Sequence, residues 1–267
     1  MRLIVLLTVA LFGSLVAGKT VMPWLCLERC GCKVSTDMQT VATHAAAGDI
    51  NVVSFEDYDL GSQANLMPNG FSQIHPQLIQ LGLTPIPMIT TANINKMHTL
   101  FANPDGFIDS VVQECKKNGF PEANIDFEPE TGVVTDDGVA YAQFLTHFAD
   151  EMHKAGLTLS VDIASWGPLW DFGLLANTTV DKFMTMDTYA NSQTYFQSHL
   201  EKAVDAFGVG RVGVGLLMGM SLNSTIWEQR LASLDAAQVR EVDLWDICNS
   251  APTGIEWDYV SRWMHGH

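Results

Sequence analysis

Residues 104–130 read PDGFIDSVVQECKKNGFPEANIDFEPE, and the hydrophobic period changes part-way along them. From Pro104 to Lys117 the apolar residues Phe107, Ile108, Val111, Val112 and Cys115 fall on one stripe at helical spacing. After Asn118-Gly119 the period drops to two: Asn124, Asp126 and Glu128 share one face of an extended segment, with Ile125 and Phe127 on the other. A helix feeding directly into a strand is half of a repeating βα unit. Eight short β-branched or apolar runs fit that pattern: Thr20–Leu25, Asn51–Phe55, Thr84–Ile89, Ala123–Glu128, Leu157–Ile163, Asp181–Asp187, Arg211–Met218 and Arg240–Asp246. Their starts are 31, 33, 39, 34, 24, 30 and 29 residues apart, room each time for one strand, one helix and two loops. Val139 to Ala155 is such a helix, with Tyr141, Phe144, Leu145, Phe148 and Met152 on one stripe, cap-like Thr135-Asp136-Asp137 ahead of it and Gly156 closing it. The spacing predicts an α/β fold, a single (β/α)8 TIM barrel, with a six-strand doubly wound sheet as the competitor.

The 267 residues are 47% hydrophobic and 16% charged, a globular composition rather than a disordered one. Thirty acids against 14 bases leave a charge of −16, and no Lys/Arg cluster offsets it, so nucleic acid and anionic membranes are excluded as partners. Arg2, the apolar run Leu3 to Phe12 and the small residues Val16-Ala17-Gly18 predict a signal peptide over 1–18, leaving residues 19–267 as the barrel. Its removal leaves 13 bases against 30 acids, a charge of −17. No later run reaches the ~20 apolar residues of a transmembrane helix, and the C-terminal Trp-Met-His-Gly-His is neither a retention signal nor a prenylation box. A secreted or secretory-lumen monomer is expected. Asn177-Thr178-Thr179 and Asn223-Ser224-Thr225 are glycosylation sequons that fit this route.

Five cysteines follow the leader: Cys26, Cys30, Cys32, Cys115 and Cys248. Zinc sites usually pair two short Cys/His hairpins, and no second pair exists here. Cys115 shares the helical face of Phe107 and Val111 and reads as a buried free thiol. The other four suffice for two disulfides. In a closed barrel the eighth strand neighbours the first, so Cys248 is expected to bridge to Cys30 or Cys32.

Function in such barrels collects at the C-terminal ends of the strands. Polar residues concentrate there most strongly on the fourth candidate strand, Asn124, Asp126, Glu128 and then Glu130. Carboxylates this close raise one another's proton affinity, and burial adds to it, so one can remain a proton donor near neutral pH. The same acids also suit a solvated loop or a metal site.

The run Gly119 to Glu128 resembles the strand-four signature D-x-x-D-x-D-x-E of the family 18 glycoside hydrolases, the chitinases and their relatives. The preceding helix, from Phe107-Ile108-Asp109-Ser110-Val111-Val112 to Lys116-Lys117-Asn118-Gly119-Phe120, is similar to that family's lead-in. Phe183-Met184-Thr185-Met186-Asp187 resembles its strand-six M-x-Y-D segment, and Val242-Asp243-Leu244-Trp245 its strand-eight run ending in tryptophan. The resemblance implies Glu128 as acid and then base, Asp126 as the carboxylate that orients the substrate's N-acetyl group, Asp187 as a further polar contact and Trp245 as a stacking residue. It implies hydrolysis of β-linked N-acetylglucosamine-containing glycans by the substrate-assisted, retaining route. Pro121, Asn124 and Met186 depart from the pattern. Asn124 can still hydrogen-bond Asp126, and Tyr189 can reach in from the loop where Met186 has no hydroxyl. A shifted register would make Glu130 the acid; Glu128 is preferred because it keeps the D-x-E step and Pro129 ends the strand.

Asp162 closes the fifth candidate strand ahead of Ser165-Trp166, with Trp170 beyond, a loop suited to stacking on a pyranose ring. Glu56 and Asp57 follow the second strand toward the same mouth. The eight histidines are scattered without H-E-x-x-H spacing, and neither G-x-G-x-x-G nor G-x-S-x-G occurs, so neither metal nor cofactor is expected. Two other readings stand beside the glycosidase: a glycan-binding lectin of the same fold, and an unrelated barrel hydrolase using a metal on Asp126, Glu128 and Glu130.

Overall fold

The structure, a computed structural model, describes residues 18–250 and 254–266. The leader expected over 1–18 lies, apart from Gly18, outside the described residues.

Among the described residues nine strands form: β1 (Thr20–Leu25), β2 (Val52–Leu60), β3 (Leu66–Pro68), β4 (Thr84–Thr91), β5 (Glu122–Phe127), β6 (Thr158–Ile163), β7 (Lys182–Thr185), β8 (Val212–Leu217) and β9 (Glu241–Trp245). Eight of them are the expected strands. They pair in parallel around a closed ring, β1 with β2, β2 with β4, and onward in chain order to β9, which pairs with β1. Closure excludes the doubly wound alternative, which needs an open sheet. The ninth, β3, is a short antiparallel addition to the end of β2, with Tyr58 opposite Pro68 and Leu60 opposite Leu66. It has too few residues to show a period in the sequence.

Strand alternation divides the apolar residues into two sets. Outward-facing Ile125 and Phe127 join the layer between barrel and helices, where the Phe127 and Phe144 rings lie stacked 6.4 Å apart. The barrel interior holds a smaller set, Met22, Trp24, Ile86, Met88 and Met184. Polar groups share that interior: Ser54, Asn124, Ser160, Asp162 and Asp243 are all buried. At its base Lys182 pairs with Glu241. Asp243 lies beneath the site with both carboxylate oxygens lacking a hydrogen-bond partner, and burial pushes its pKa up to about 8 against the pull of Lys182.

The helix expected over Pro104–Lys117 forms as Asp105–Asn118, with Phe107, Ile108, Val111 and Cys115 buried and Gly119 ending it at φ 73°. The helix expected from Val139 starts earlier, spanning Thr135–Lys154. Asp137 accepts a hydrogen bond from the Val134 backbone amide, so Thr135-Asp136-Asp137 are the first turn rather than the cap ahead of it.

Cys248 bridges to Cys32, one of its two expected partners, across the β1/β9 seam, and Cys26 bridges to Cys30. Cys115 is a buried free thiol. Asn177 and Asn223 are both exposed; Asn223 caps the helix Ser224–Ala236 through its side-chain oxygen, which leaves its amide nitrogen free of that contact. Among the described residues no helix is long and apolar enough to cross a membrane.

Candidate active site

β5 carries the site because of its pleat. Ile125 and Phe127 are fixed against the helices, so Asn124 and Asp126 must face inward, and Glu128, whose amide continues the ladder by donating to the Thr91 carbonyl at 2.9 Å, follows them at the rim. Asp126 and Glu128, two residues apart on one face of the chain, line the same cavity. Asp126 is pushed well above the ordinary carboxylate range, first by burial and then by the charges of Glu128, Asp162 and Glu56. Glu128 is raised as well, chiefly by desolvation. Two acids so placed cannot both ionise cheaply, and they hold one proton between them above the pH at which a free carboxyl loses it.

Around this pair lies a cavity of about 190 Å³ lined by Trp24, Met88, Asp126, Glu128, Asp162, Trp166, Met186, Tyr189 and Trp245. Trp166 is the outer wall, 61% exposed, and packs edge-on against buried Trp170 at 5.6 Å. Tyr189 enters from the loop after β7 and meets Trp24 edge-on at 6.3 Å. It fits because position 215 is glycine: a Cβ there would collide with the Thr185 carbonyl and the Tyr189 ring. Aromatic walls with a few convergent polar groups suit a sugar ring, which offers C–H faces and hydroxyl edges.

Asn124 sits one layer below. Its amide donates to Asp162 at 3.0 Å and to Ser160 at 3.2 Å, not to Asp126 as expected from the sequence. The reason is register: Asn124 lies beside Ser160 across the β5/β6 pairing, which brings its amide under Asp162.

Asp187 also departs from expectation. Met184 and Met186 face the interior, so alternation turns Asp187 outward, where it accepts from the Ser165 amide at 2.9 Å and lies 3.4 Å from His199. It anchors the loop that carries Trp166 and lies outside the cavity lining. By the same rule Glu56 lines the groove beside Asp126 and Glu128, whereas Asp57 faces a separate cleft with Tyr58 and Glu114. Glu130 stands at the outer end of the groove with Asp59 and Lys96, away from the cavity, so the register that makes it the acid does not match its position.

The sequence reading missed Trp24 and Arg29. Trp24 is hidden in a uniformly buried strand, and Arg29 sits in the loop after it. Arg29 Nη1 reaches Glu56 at 2.7 Å, Asp59 at 2.8 Å and Thr90 at 3.1 Å, in the charged half of the groove that shares Asp126, Glu128 and Trp245 with the aromatic cavity.

No protein-family model and no curated protein sequence matches the chain. Solved structures do. A chitinase from Chromobacterium violaceum superposes with a TM-score of 0.76 at 12% identity, over 92% of this chain and 99% of that one. The Bacillus cereus spore cortex-lytic enzyme gives 0.73 at 13% identity, over 91% of this chain and 74% of that one. The Ostrinia furnacalis Group IV chitinase, solved with allosamidin, gives 0.72 at 11% identity, over 93% and 98%. The chain thus has the fold of these chitinases; at such identities the likeness is one of fold, and what the site does rests on its own residues.

Proposed function

We propose that the protein is a secreted glycosidase that cleaves β-linked N-acetylglucosamine-containing glycans with retention of configuration. The observation that carries this reading is the Asp126–Glu128 pair, two acids of raised proton affinity at the mouth of an aromatic-walled barrel. The fold shared with solved chitinases supports it.

The sugar ring stacks on Trp245 within the walls formed by Trp166, Trp24 and Tyr189. Asp126 accepts the acetamide N–H, which aims the acetamide oxygen at the anomeric carbon and frees the shared proton for Glu128. The oxygen forms a bond to that carbon as the glycosidic bond breaks, and Glu128 gives its proton to the departing oxygen. Asp126, now anionic, faces the developing oxazolinium cation, with Asp162, held by the Asn124 amide, in the layer below it. Glu128 then takes a proton from water, which opens the oxazolinium from the opposite side of the carbon and restores the starting configuration. Tyr189 supplies the hydroxyl that Met186 lacks.

The test is hydrolysis of fluorogenic N-acetylglucosaminides, chitin oligomers and N-glycans, with the first-formed anomer read by proton NMR. A β product supports this route; an α product rejects it. One observation favours a second reading, a glycan-binding protein without turnover: Met186 occupies the cavity wall where a hydrogen-bonding side chain would hold the acetamide. Affinity for chitin oligomers with no turnover on any of these substrates would select it.

A further inference from the structure

Arg29 lies in no helix or strand, yet its position is tightly determined. The turn Cys26–Arg29 is closed by a backbone hydrogen bond from Arg29 to the Cys26 carbonyl at 3.0 Å and by the Cys26–Cys30 disulfide. Leu27 and Glu28 are both left-handed, at φ 46° and 72°, a costly backbone for two successive non-glycine residues and one that persists only where the surroundings impose it. Leu27 is fully buried, and a second disulfide, Cys32–Cys248, ties the far side of the loop to the barrel seam. The product of these constraints is one guanidinium nitrogen set among Glu56, Asp59 and Thr90.

We propose that Arg29 is a positioning residue of the candidate active site: presented by the Cys26–Cys30 turn, its guanidinium ties Glu56 and Asp59 into the groove wall beside Asp126 and Glu128. The role rests on the glycosidase reading of that pair.

The charged groups facing Arg29 come from several elements: Glu56 and Asp59 from β2, Asp126, Glu128 and Glu130 from β5 and the residues after it, and Lys96 from the helix Ile94–Ala102. Lys96 is held by the Leu60 carbonyl at 2.9 Å, so Arg29 is the cation that meets Glu56. Burial and the charges of Asp59 and Glu128 push Glu56 up to about 7, and Arg29 opposes them. Without Arg29, Glu56 would keep its proton further into the alkaline range and stay a neutral acid in the groove. Paired with Arg29 it gives up that proton at a lower pH, and its anion then adds to the negative field that a cationic transition state requires. One nitrogen serves three acceptors, a geometry that the three N–H donors of a lysine can imitate.

The test compares Arg29→Gln, Arg29→Lys and the double variant Cys26→Ser/Cys30→Ser with the wild type. The Glu56 titration is followed by carbon-13 NMR of labelled carboxyl groups, and the pH profile of kcat/KM is measured beside it. Arg29→Gln should move the Glu56 titration up by about one unit, and the acid limb of kcat/KM should move with it. Arg29→Lys should keep both near their wild-type positions, and the double cysteine variant should shift both in the direction of Arg29→Gln. An unmoved Glu56 titration in Arg29→Gln overturns the proposal, even if activity falls, because a merely structural role changes the height of the profile and not its limb. A wild-type titration in the cysteine variant removes the turn from the account. Should Arg29→Gln fail to fold, Arg29→Met, which keeps the aliphatic stem and removes the charge, is read by the same Glu56 titration with the same two outcomes. Should the chain hydrolyse no glycoside, the carboxyl titration still decides the role of Arg29, and only the glycosidase reading falls.

Discussion

Asn124 donates its side-chain amide to Asp162 at 3.0 Å, one layer below the Asp126–Glu128 pair. An aspartate at position 124 would put a third ionisable group beneath the pair; the asparagine supplies a donor and no charge. Asp162 is fully enclosed and pushed well above the ordinary range by burial, with the Asn124 amide opposing that shift.

Replacing Asn124 by Ala removes the donor and leaves a buried carboxyl with an unmet acceptor. A stability loss of about 1–3 kcal/mol is expected, read by urea denaturation. An unchanged midpoint would show that Asp162 does not depend on this bond.

The acids under the site make the protein more stable in mild acid than in mild base. The unfolded Asp243 carboxyl loses its proton near pH 4, whereas the folded one keeps it to about 8. Between these values the folded state binds the extra proton, so stability falls as pH rises, by up to about 1.4 kcal/mol per unit for this one group. Glu56, pushed up to about 7, and Asp37, pushed up to about 6, add to the same slope, both chiefly through burial. Asp243→Asn should raise the melting temperature at pH 8 and change it little at pH 4.5. Equal changes at the two pH values would contradict the assignment.

Trp166 is exposed and touches little of the core, so Trp166→Ala should alter stability by no more than about 0.5 kcal/mol. As the outer wall of the cavity, its loss should on the proposed glycosidase reading weaken binding of chitin oligomers about tenfold, on the order of 1.4 kcal/mol, measured by calorimetry. Undiminished affinity would take Trp166 out of the site.

The Cys32–Cys248 bridge joins residues 216 positions apart and closes most of the chain into one loop. Cys248→Ser should cost about 2–5 kcal/mol. A denaturation midpoint equal to that of the wild type would show that the seam is held without it.

How much of the molecule is legible in its sequence follows the range of the physics involved. The alternation along Asn124 to Phe127 is local, and by itself it assigns Asp126 to the inner face, where the side chain lies. The βα spacing is a chain-length property and shows eight units, while β3, three residues long, leaves no period to read. Asp187 is drawn toward the site by its motif, although alternation from Met184 through Met186 already turns it outward. The partner of the Asn124 amide depends on the β5/β6 register, which no stretch of either strand encodes alone. Arg29 is further from view, because its meeting with Glu56, Asp59 and Thr90 depends on closure of β1 against β2 and on a disulfide-held turn.

The central claim is that Glu128 gives the shared proton to the departing sugar oxygen. It is tested most directly by comparing wild type and Glu128→Gln on chitin oligomers and N-glycans, with binding measured in parallel. The variant should bind the same glycans with similar affinity while kcat falls by about 10²–10⁴. Hydrolysis by Glu128→Gln at the wild-type rate would contradict the account.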